Sequence, residues 1–331
     1  MSSVTASRRS NNHGRQPYLV LLGQDDEIYW LEYPPDGRRV VTGSWRGTVR
    51  IWDLESGKQE GAPMEHESSM TNLSVTRDGT KIISSGERGR IKVWDIESHK
   101  LVKEWTYPKS YPNIAISPDG RLIAIRGWSV AIYTVEGERH IMINSIWVDG
   151  TVYSMCFSPS GNKLACGTGY GIRVYDVASG TLVFGPLDRH SWIHDVVWSR
   201  DGSRLFSTSE DETIRSWNSG TGEQIGRPWT GHTRHIYSLS LSPDGSILAS
   251  ASSDKTVRFW NATTGDPIGQ HLQHDKKVTA VRFSPSGESV ACAGANGKIC
   301  FWNVPWFNSV ERQVSTLIRC TSVCVLITLS I

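Results

Sequence analysis

The sequence of 331 residues has 35 lysines and arginines against 33 aspartates and glutamates, which gives a formal net charge of +2. This balance argues against a protein that binds nucleic acid through a broad basic surface. No run of about 18 apolar residues occurs, so an ordinary membrane-spanning helix is not expected.

The cysteines and the known catalytic motifs argue against metal and enzyme chemistry. The six cysteines include no CxxC pair, which fits reduced thiols better than a zinc site or a disulfide framework. The motifs HExxH, GxSxG and GxxxxGK[ST] do not occur in the sequence. We therefore expect no catalytic residues, no metal, no cofactor and no small-molecule substrate.

The N-terminal stretch, residues 1–16, is polar and mildly basic, with Arg8, Arg9 and Arg15 and no apolar segment. Such a composition does not fit a secretory signal and predicts a disordered extension.

From residue 17 to residue 303 the sequence is an internal repeat. A turn signal, D-G or S-G, recurs at steps of 41 to 43 residues, with its glycine at Gly37, Gly79, Gly120, Gly161, Gly202, Gly245 and Gly287. An aromatic residue follows each glycine after 13 to 15 residues, at Trp52, Trp94, Tyr133, Tyr175, Trp217, Trp260 and Trp302. Seven units in register predict one repeat array.

Each unit has the pattern of four short strands. In the sixth unit, alternating runs such as "IYSLSLSPDG", "SILASAS" and "TVRFWN" are separated by turn residues. A sheet of four strands cannot bury both of its faces alone, so neighbouring units must stack. Units of about 40–45 residues with four strands predict the blades of a β-propeller.

The third strands carry a family resemblance. The segments "TVRIWD" (48–53), "IKVWD" (91–95), "IRVYD" (172–176), "IRSWN" (214–218), "TVRFWN" (256–261) and "ICFWN" (299–303), with "GH" at 231–232, resemble WD40 repeats. In style they are closest to the repeats of large fungal WD40 arrays. The resemblance implies an all-β fold, a single seven-bladed β-propeller over residues 17–303.

The two ends of the array predict how the ring closes. An extra apolar run, "PYLVLLG" at 17–23, precedes the first unit, whereas Pro305 follows the last third strand and disfavours a fourth. We expect this N-terminal strand to complete the last blade and remove its open edge. The remaining tail, 304–331, is apolar and outside the repeat; a segment without an evolved role is favoured over a partner-binding strand or a membrane-dipping tail.

The resemblance also implies a hydrogen-bonded tetrad within a blade. In the family it joins a histidine before the first strand, a serine or threonine on the second, an aspartate in the next turn and the third-strand tryptophan. The matching residues of the sixth unit are His232, Ser252, Asp254 and Trp260. Those of the fifth unit are Ser209, Asp211 and Trp217, with His190 one residue out of register.

Serine, histidine and aspartate are also the residue types of a hydrolase triad. A motif partly duplicated around a ring instead fits a device that satisfies buried polar groups. The second unit keeps only His66 and Trp94, and the seventh has His274, Trp302 and Asn296 in the aspartate position. We therefore predict a structural role.

A candidate binding surface lies in the degenerate turns of the first three units. Arg and Trp side chains, both enriched at interface hot spots, occur there and before the first strand of the fifth unit. These candidates are Trp45, Arg46, Arg88, Arg126, Trp128 and Trp192. Guanidinium groups beside indoles would suit an acidic or phosphorylated peptide. The alternative is that these turns are simply solvated.

The sequence thus predicts a non-catalytic scaffold that binds segments of other proteins in the cytosol or the nucleus. Two alternatives remain: the regulatory sensor half of a signalling array, and a subunit associated with a ribonucleoprotein or chromatin.

Overall fold

The computed structural model of the chain describes residues 6–8, 16–24, 26–108, 111–127, 129–134, 142–187 and 192–304, with only the backbone for 6–8. All regular structure in these ranges is β-strand, arranged as seven antiparallel sheets. These ranges contain no helix long and apolar enough to cross a membrane. The predicted all-β, seven-bladed propeller is therefore confirmed.

Blade 1 contains β3 (Ile28–Glu32), β4 (Arg39–Ser44), β5 (Thr48–Asp53) and β6 (Lys58–Glu65). Blade 2 contains β7 (Met70–Val75), β8 (Lys81–Gly86), β9 (Arg90–Asp95) and β10 (Leu101–Thr106). Blade 3 contains β11 (Ile114–Ile116), β12 (Leu122–Arg126), β13 (Val130–Thr134) and β14 (Met142–Ile146). Blade 4 contains β15 (Val152–Phe157), β16 (Lys163–Thr168), β17 (Gly171–Asp176) and β18 (Leu182–Leu187).

Blade 5 contains β19 (Ile193–Trp198), β20 (Arg204–Ser209), β21 (Ile214–Asn218) and β22 (Gln224–Trp229). Blade 6 contains β23 (Ile236–Leu241), β24 (Ile247–Ser252), β25 (Thr256–Asn261) and β26 (Leu272–Gln273). Blade 7 contains β27 (Val278–Phe283), β28 (Ser289–Gly294), β29 (Ile299–Asn303), β2 (Leu19–Leu21) and β1 (Ala6–Arg8).

The ring closes through the N-terminal strand, as predicted. Strand β2 pairs with β29, with Leu19 opposite Phe301 and Leu21 opposite Ile299. The expectation of disorder across 1–16 needs one correction, because β1 pairs with β2 as a fifth, outer strand. The pairing follows from the open edge that β2 would otherwise present. The rest of that extension up to residue 15, and the tail from Pro305 onward, lie outside the described residues.

Stacking between blades builds the core. One buried cluster joins Phe206 and Trp229 of blade 5 to Leu239, Leu248 and Trp260 of blade 6. Each such side chain, once fully buried, contributes about 1.5–3 kcal/mol through removal of apolar surface from water. The four-strand sheets are thus stable because each one covers the face of the next.

The turns between the first and second strands contribute a second contact between blades. Gly79 has a φ of +69°, and a Cβ added there would lie 2.8 Å from Pro35 Cδ of the preceding blade. Pro285 packs against Gly37 at ordinary contact distance, 3.5 Å from an added Cβ, which links blade 7 to blade 1. At both turns glycine suits the left-handed backbone, and at Gly79 it also allows the close approach of the neighbouring proline.

Candidate binding face and the buried network that supports it

The third-strand tryptophan of blade 6 is connected to a buried chain of polar side chains. Trp260 Nε1 donates to Ser250 Oγ at 2.8 Å, and His232 Nε2 lies 2.7 Å from the same oxygen. His232 Nδ1 lies 2.7 Å from Asp254 Oδ2, and Thr256 donates to the other carboxylate oxygen at 2.6 Å. These hydrogen bonds connect the loop before the first strand, termed the leading loop, to the second strand, the following turn and the third strand.

The predicted serine, Ser252, is corrected to Ser250. Ser252 Oγ instead donates to the Arg234 carbonyl at 3.0 Å and accepts from the Asp254 N–H at 3.1 Å. Both serines lie on the same face of β24 because strand residues two apart share a face. Ser250 is the one whose hydroxyl the indole of Trp260 reaches.

Blade 5 shows the same shift by two residues. Trp217 Nε1 donates to Ser207 Oγ at 2.9 Å, whereas Ser209 Oγ accepts only a 3.3 Å bond from the Asp211 N–H among the contacts of the described residues. The Asp211 carboxylate lies 2.7 Å from Arg215 Nη2. His190 lies outside the described residues. The predicted Ser209 is therefore corrected to Ser207.

Blade 2 retains a shorter version of the network. His66 Nε2 lies 2.6 Å from Ser84 Oγ, which also accepts a 2.8 Å bond from Trp94 Nε1. The turn has Arg88 where blade 6 has its aspartate, and His66 Nδ1 is buried without a hydrogen-bond partner among the described residues.

In blade 1 a glutamine takes the place of the histidine. Thr42 Oγ1 accepts from Trp52 Nε1 at 2.8 Å and donates to Gln24 Oε1 at 2.7 Å. The sequence interpretation looked only for histidine and therefore missed Gln24. The signal that could have found it is the spacing, because Gln24 lies 18 residues before Thr42 as His232 lies 18 before Ser250.

Blade 7 preserves the spacing and loses the chemistry. Cys292 lies 18 residues after His274 and 10 residues before Trp302, at the position of Ser250. His274 Nε2 and Trp302 Nε1 are buried without a hydrogen-bond partner among the described residues, although their rings lie 5.6 Å apart. Asn296 Oδ1 accepts from the Lys298 N–H at 3.2 Å. Cysteine is thus a poor substitute for the serine that links the two rings.

The network has the character of a structural element. Ser250 is fully buried, and its hydroxyl lies between the indole and the imidazole. Burial lowers the pKa of His66 and of His274 to about 4 each, so both are neutral at pH 7. Burial also lowers the pKa of His232, although Asp254 opposes that shift. The arrangement satisfies buried polar groups and fixes the leading loop.

The loop face is the end of the ring formed by the leading loops and the turns between second and third strands. On blade 1, Trp45 is 47% exposed and packs against Tyr29 with ring centroids 5.6 Å apart. The Arg46 side chain is 81% exposed, with its Nε 3.7 Å from Asp26 Oδ2. Arg88 on blade 2 is also exposed. These side chains are accessible to a partner.

Arg126 does not belong to that exposed set. It ends β12, and its guanidinium donates to the Val152 carbonyl at 2.5 Å and to the Tyr111 carbonyl. Burial lowers the pKa of Arg126. The side chain joins the second strand of blade 3 to its own leading loop at Tyr111 and to the first strand of blade 4 at Val152, which corrects its predicted place in a solvent-exposed patch. Trp128 lies outside the described residues.

Polar side chains also form contacts around the central channel, a cavity of about 820 Å³ lined by the first strands. They share one position, seven residues before the turn glycine: Asn72, Asn113, Ser154, Asp195 and Ser238. Asn72 Nδ2 donates to Asn113 Oδ1 at 2.6 Å, and Ser154 Oγ donates to Asp195 Oδ1 at 2.9 Å. The sequence interpretation missed this ring, although its members interrupt apolar strands at one fixed position.

A half-buried ion pair completes the ring at the closure. Arg282 of blade 7 lies 2.9 Å from Glu32 of blade 1 and donates to Ser238 of blade 6 at 3.0 Å. Burial raises the pKa of Asp195, whose carboxylate accepts a 2.8 Å bond from the Leu239 N–H. No group of three or more metal-ligating side chains occurs in the described part of the chain.

Comparison with protein families gives a match to the model described as "WD domain, G-beta repeat". The matched residues are 15–53, 58–95, 144–176, 182–218, 222–261 and 265–303, more than half of the chain. The unmatched stretch contains most of blade 3, where Tyr133 replaces the tryptophan and Ile125 occupies the position of Ser250. Blade 3 is thus a blade in structure without the polar residues that mark the repeat.

Individual relatives are similar over parts of their length. The chain is 29% identical to "Small ribosomal subunit protein RACK1z" of Arabidopsis thaliana over 32% of the chain and 38% of that protein. It is 37% identical to "Intraflagellar transport protein 122 homolog" of Danio rerio, over 22% of the chain and 6% of that protein. It is 27% identical to "Small ribosomal subunit protein RACK1" of Glycine max, over 62% of the chain and 83% of that protein. The first two matches span less than half of either relative.

Proposed function

Because the chain belongs to the WD40-repeat family, we propose that it is a non-catalytic scaffold of the cytosol or nucleus that binds segments of other proteins on its loop face. The observation that carries the proposal is the exposure of Trp45 and Trp192, at 47% and 49%, on loops tied to a rigid ring. Exposed indoles on a preorganised surface are typical of binding hot spots.

The finer proposal concerns an acidic or phosphorylated segment. Trp45, Arg46 and Arg88 form the basic patch on blades 1 and 2. Among the described residues the Arg46 guanidinium has one ionic contact, 3.7 Å to Asp26, and the side chain is 81% exposed, so it is open to a carboxylate or phosphate. Arginine binds such groups through two parallel hydrogen bonds, and a neighbouring indole adds apolar contact. The basic patch therefore favours a negatively charged partner.

The test is affinity purification with mass spectrometry, followed by binding of the captured proteins' acidic segments as synthetic peptides. We expect Arg46→Glu with Arg88→Glu to abolish capture of at least one protein and to leave the melting temperature within about 2 °C, as exposed substitutions usually do. The matched control, Arg38→Glu with Arg121→Glu, reverses two arginines beside the S-P-D-G-type turns at the opposite end of the ring. Identical captured sets for wild type and both variants would refute the basic patch.

A second candidate function is association with a ribosomal particle. It is favoured by relatives named as small ribosomal subunit proteins, one of which is matched over 83% of its length. The net charge of +2 favours docking on a protein component over binding to bare RNA. Cosedimentation with small subunits in a sucrose gradient tests this candidate, and a chain that remains at the top of the gradient would refute it.

A further inference from the structure

Blades 4 and 5 carry exposed aromatic rings on the loop face, the aromatic stripe formed by Tyr153, Trp192 and Tyr170. The rings of Tyr153 and Trp192 stack, with centroids 5.4 Å apart and an interplanar angle of 20°. Gly169 lies against both, since a Cβ there would be 3.5 Å from Trp192 Nε1. Tyr170 follows directly and covers Gly150. One side of the stripe therefore packs against the backbone at Gly150 and Gly169, while Trp192 and Tyr170 remain about half exposed.

Carboxylates flank the stripe. The Glu210 N–H donates to the Trp192 carbonyl at 3.0 Å, which places the backbone of this exposed glutamate beside that of Trp192. Asp149 lies in the leading loop that Tyr170 covers, and its side chain is 74% exposed. The exposed aromatic rings thus have acidic neighbours on two sides.

The nearby arginines of the described residues are already engaged, including Arg126, whose guanidinium donates to the Val152 carbonyl next to Tyr153 and to the Tyr111 carbonyl. Arg173 has a side chain only 10% exposed and lies 3.3 Å from Asp149, while Arg215 is 16% exposed and lies 2.7 Å from Asp211. Both guanidinium groups lie below the surface, whereas the Asp149 carboxylate remains open to solvent. The stripe therefore presents aromatic faces with exposed negative charge.

We propose that the aromatic stripe binds a lysine or arginine side chain of a partner segment, with the cation over the indole of Trp192 and the Glu210 carboxylate beside it. A cation within about 6 Å of a tryptophan face is attracted by the ring quadrupole, and a neighbouring carboxylate adds Coulomb attraction. The proposal rests on the proposed scaffold function and assigns the stripe its own partner chemistry. Blades 4 and 5 lie across the channel from the basic patch. Because one surface carries arginines and the other carboxylates, the two select segments of opposite charge.

The test is fluorescence anisotropy with a fluorescein-labelled lysine peptide in a glycine–serine background. The reference peptide has glutamine in place of each lysine. We expect Trp192→Ala and Tyr170→Ala each to weaken the Kd for the lysine peptide about tenfold, and Glu210→Gln about threefold. The matched control is Leu182→Ala, which removes an equally exposed apolar side chain from the outer strand β18 of blade 4 and should leave the Kd unchanged. Unchanged melting temperatures would show that the variants are folded.

Any of three results would overturn the proposed role of the stripe: a wild-type protein that fails to bind the lysine peptide, equal binding of the glutamine peptide, or equal Kd values for the wild type and both aromatic variants. These results are distinguishable from failure of the scaffold function. If the basic patch still captures its partner while the lysine peptide does not bind, only the stripe is wrong.

Discussion

Blades 6 and 7 are neighbours with the same spacing between the leading-loop histidine and the third-strand tryptophan, yet they differ at the buried position between these two residues. In blade 6, Ser250 links Trp260 to His232 through bonds of 2.8 and 2.7 Å. In blade 7, Cys292 has that position, and both Trp302 Nε1 and His274 Nε2 lack a partner among the described residues. The comparison shows that stacking and strand pairing suffice to form a blade without the polar network, and we expect the network to add stability where it is present.

Blade 7 has other sources of stability that blade 6 does not need. The third strand of blade 7 pairs with β2, which comes from the N-terminal end of the array. Arg282, on the first strand, joins blade 7 to Glu32 of blade 1. Apolar packing against blade 6 includes Phe283, whose ring lies 6.2 Å from that of Phe259. We expect the contacts that close the ring to stabilise blade 7 in the absence of the hydroxyl.

The largest expected effect comes from breaking that closure. Deleting residues 1–22 removes β2 and leaves β29 as an open edge, so we expect aggregation and loss of a cooperative thermal transition. Deleting residues 1–5 leaves β1 and β2 intact and is the control. Light scattering and differential scanning fluorimetry measure both. Equal melting temperatures for the two truncations would mean that β2 does not hold blade 7 together.

The next effect separates the two serines of blade 6. Ser250→Ala should lower the free energy of unfolding by about 1–3 kcal/mol, because it leaves the Trp260 N–H and the His232 nitrogen buried without a partner. Ser252→Ala removes two longer bonds to backbone groups, at 3.0 Å to the Arg234 carbonyl and 3.1 Å from the Asp254 N–H, and should cost less, about 1 kcal/mol. Urea denaturation compares them. A larger loss for Ser252→Ala would favour the original sequence prediction.

A smaller effect concerns pH and the histidine of blade 7. The pKa of His274 is about 4 in the folded chain, below the ordinary value of 6.5. The folded pKa is lowered, so the associated stability is present above the unfolded pKa and is lost as the pH falls from about 6.5 toward about 4. At about pH 5.5 the loss of unfolding free energy from this histidine is about 1 kcal/mol. His274→Gln should flatten the dependence of unfolding free energy on pH, and an unchanged slope would contradict the assignment.

The architecture was largely predictable from sequence because it depends on local, repeated signals. Turn glycines at steps of 41 to 43 residues and the apolar run at 17–23 predicted seven blades and their closure. Ser250 was not distinguishable from Ser252, because both alternate onto the same face and only the register with Trp260 separates them. Gln24 was missed because its role depends on spacing rather than residue type.

Contacts between blades were the harder part to predict. The partner of Asn72 lies 41 residues away on the next blade. The two carbonyls bound by Arg126 lie in the leading loop of blade 3 and in the first strand of blade 4. Such pairings depend on how adjacent sheets pack, which local patterning does not specify. For the same reason the stacking of Trp192 on Tyr153 could not be read from the sequence.

The central claim, that a hydroxyl at the position of Ser250 stabilises blade 6 and is missing at Cys292 of blade 7, is tested most directly by exchanging the two residues. Urea denaturation would compare wild type with Ser250→Cys and Cys292→Ser at neutral pH. We expect Ser250→Cys to lower the free energy of unfolding by about 1 kcal/mol or more, and Cys292→Ser to raise it by about 0.5–1 kcal/mol by giving Trp302 and His274 a shared partner. Shifts of the same sign in both variants, or no shift in either, would contradict the account.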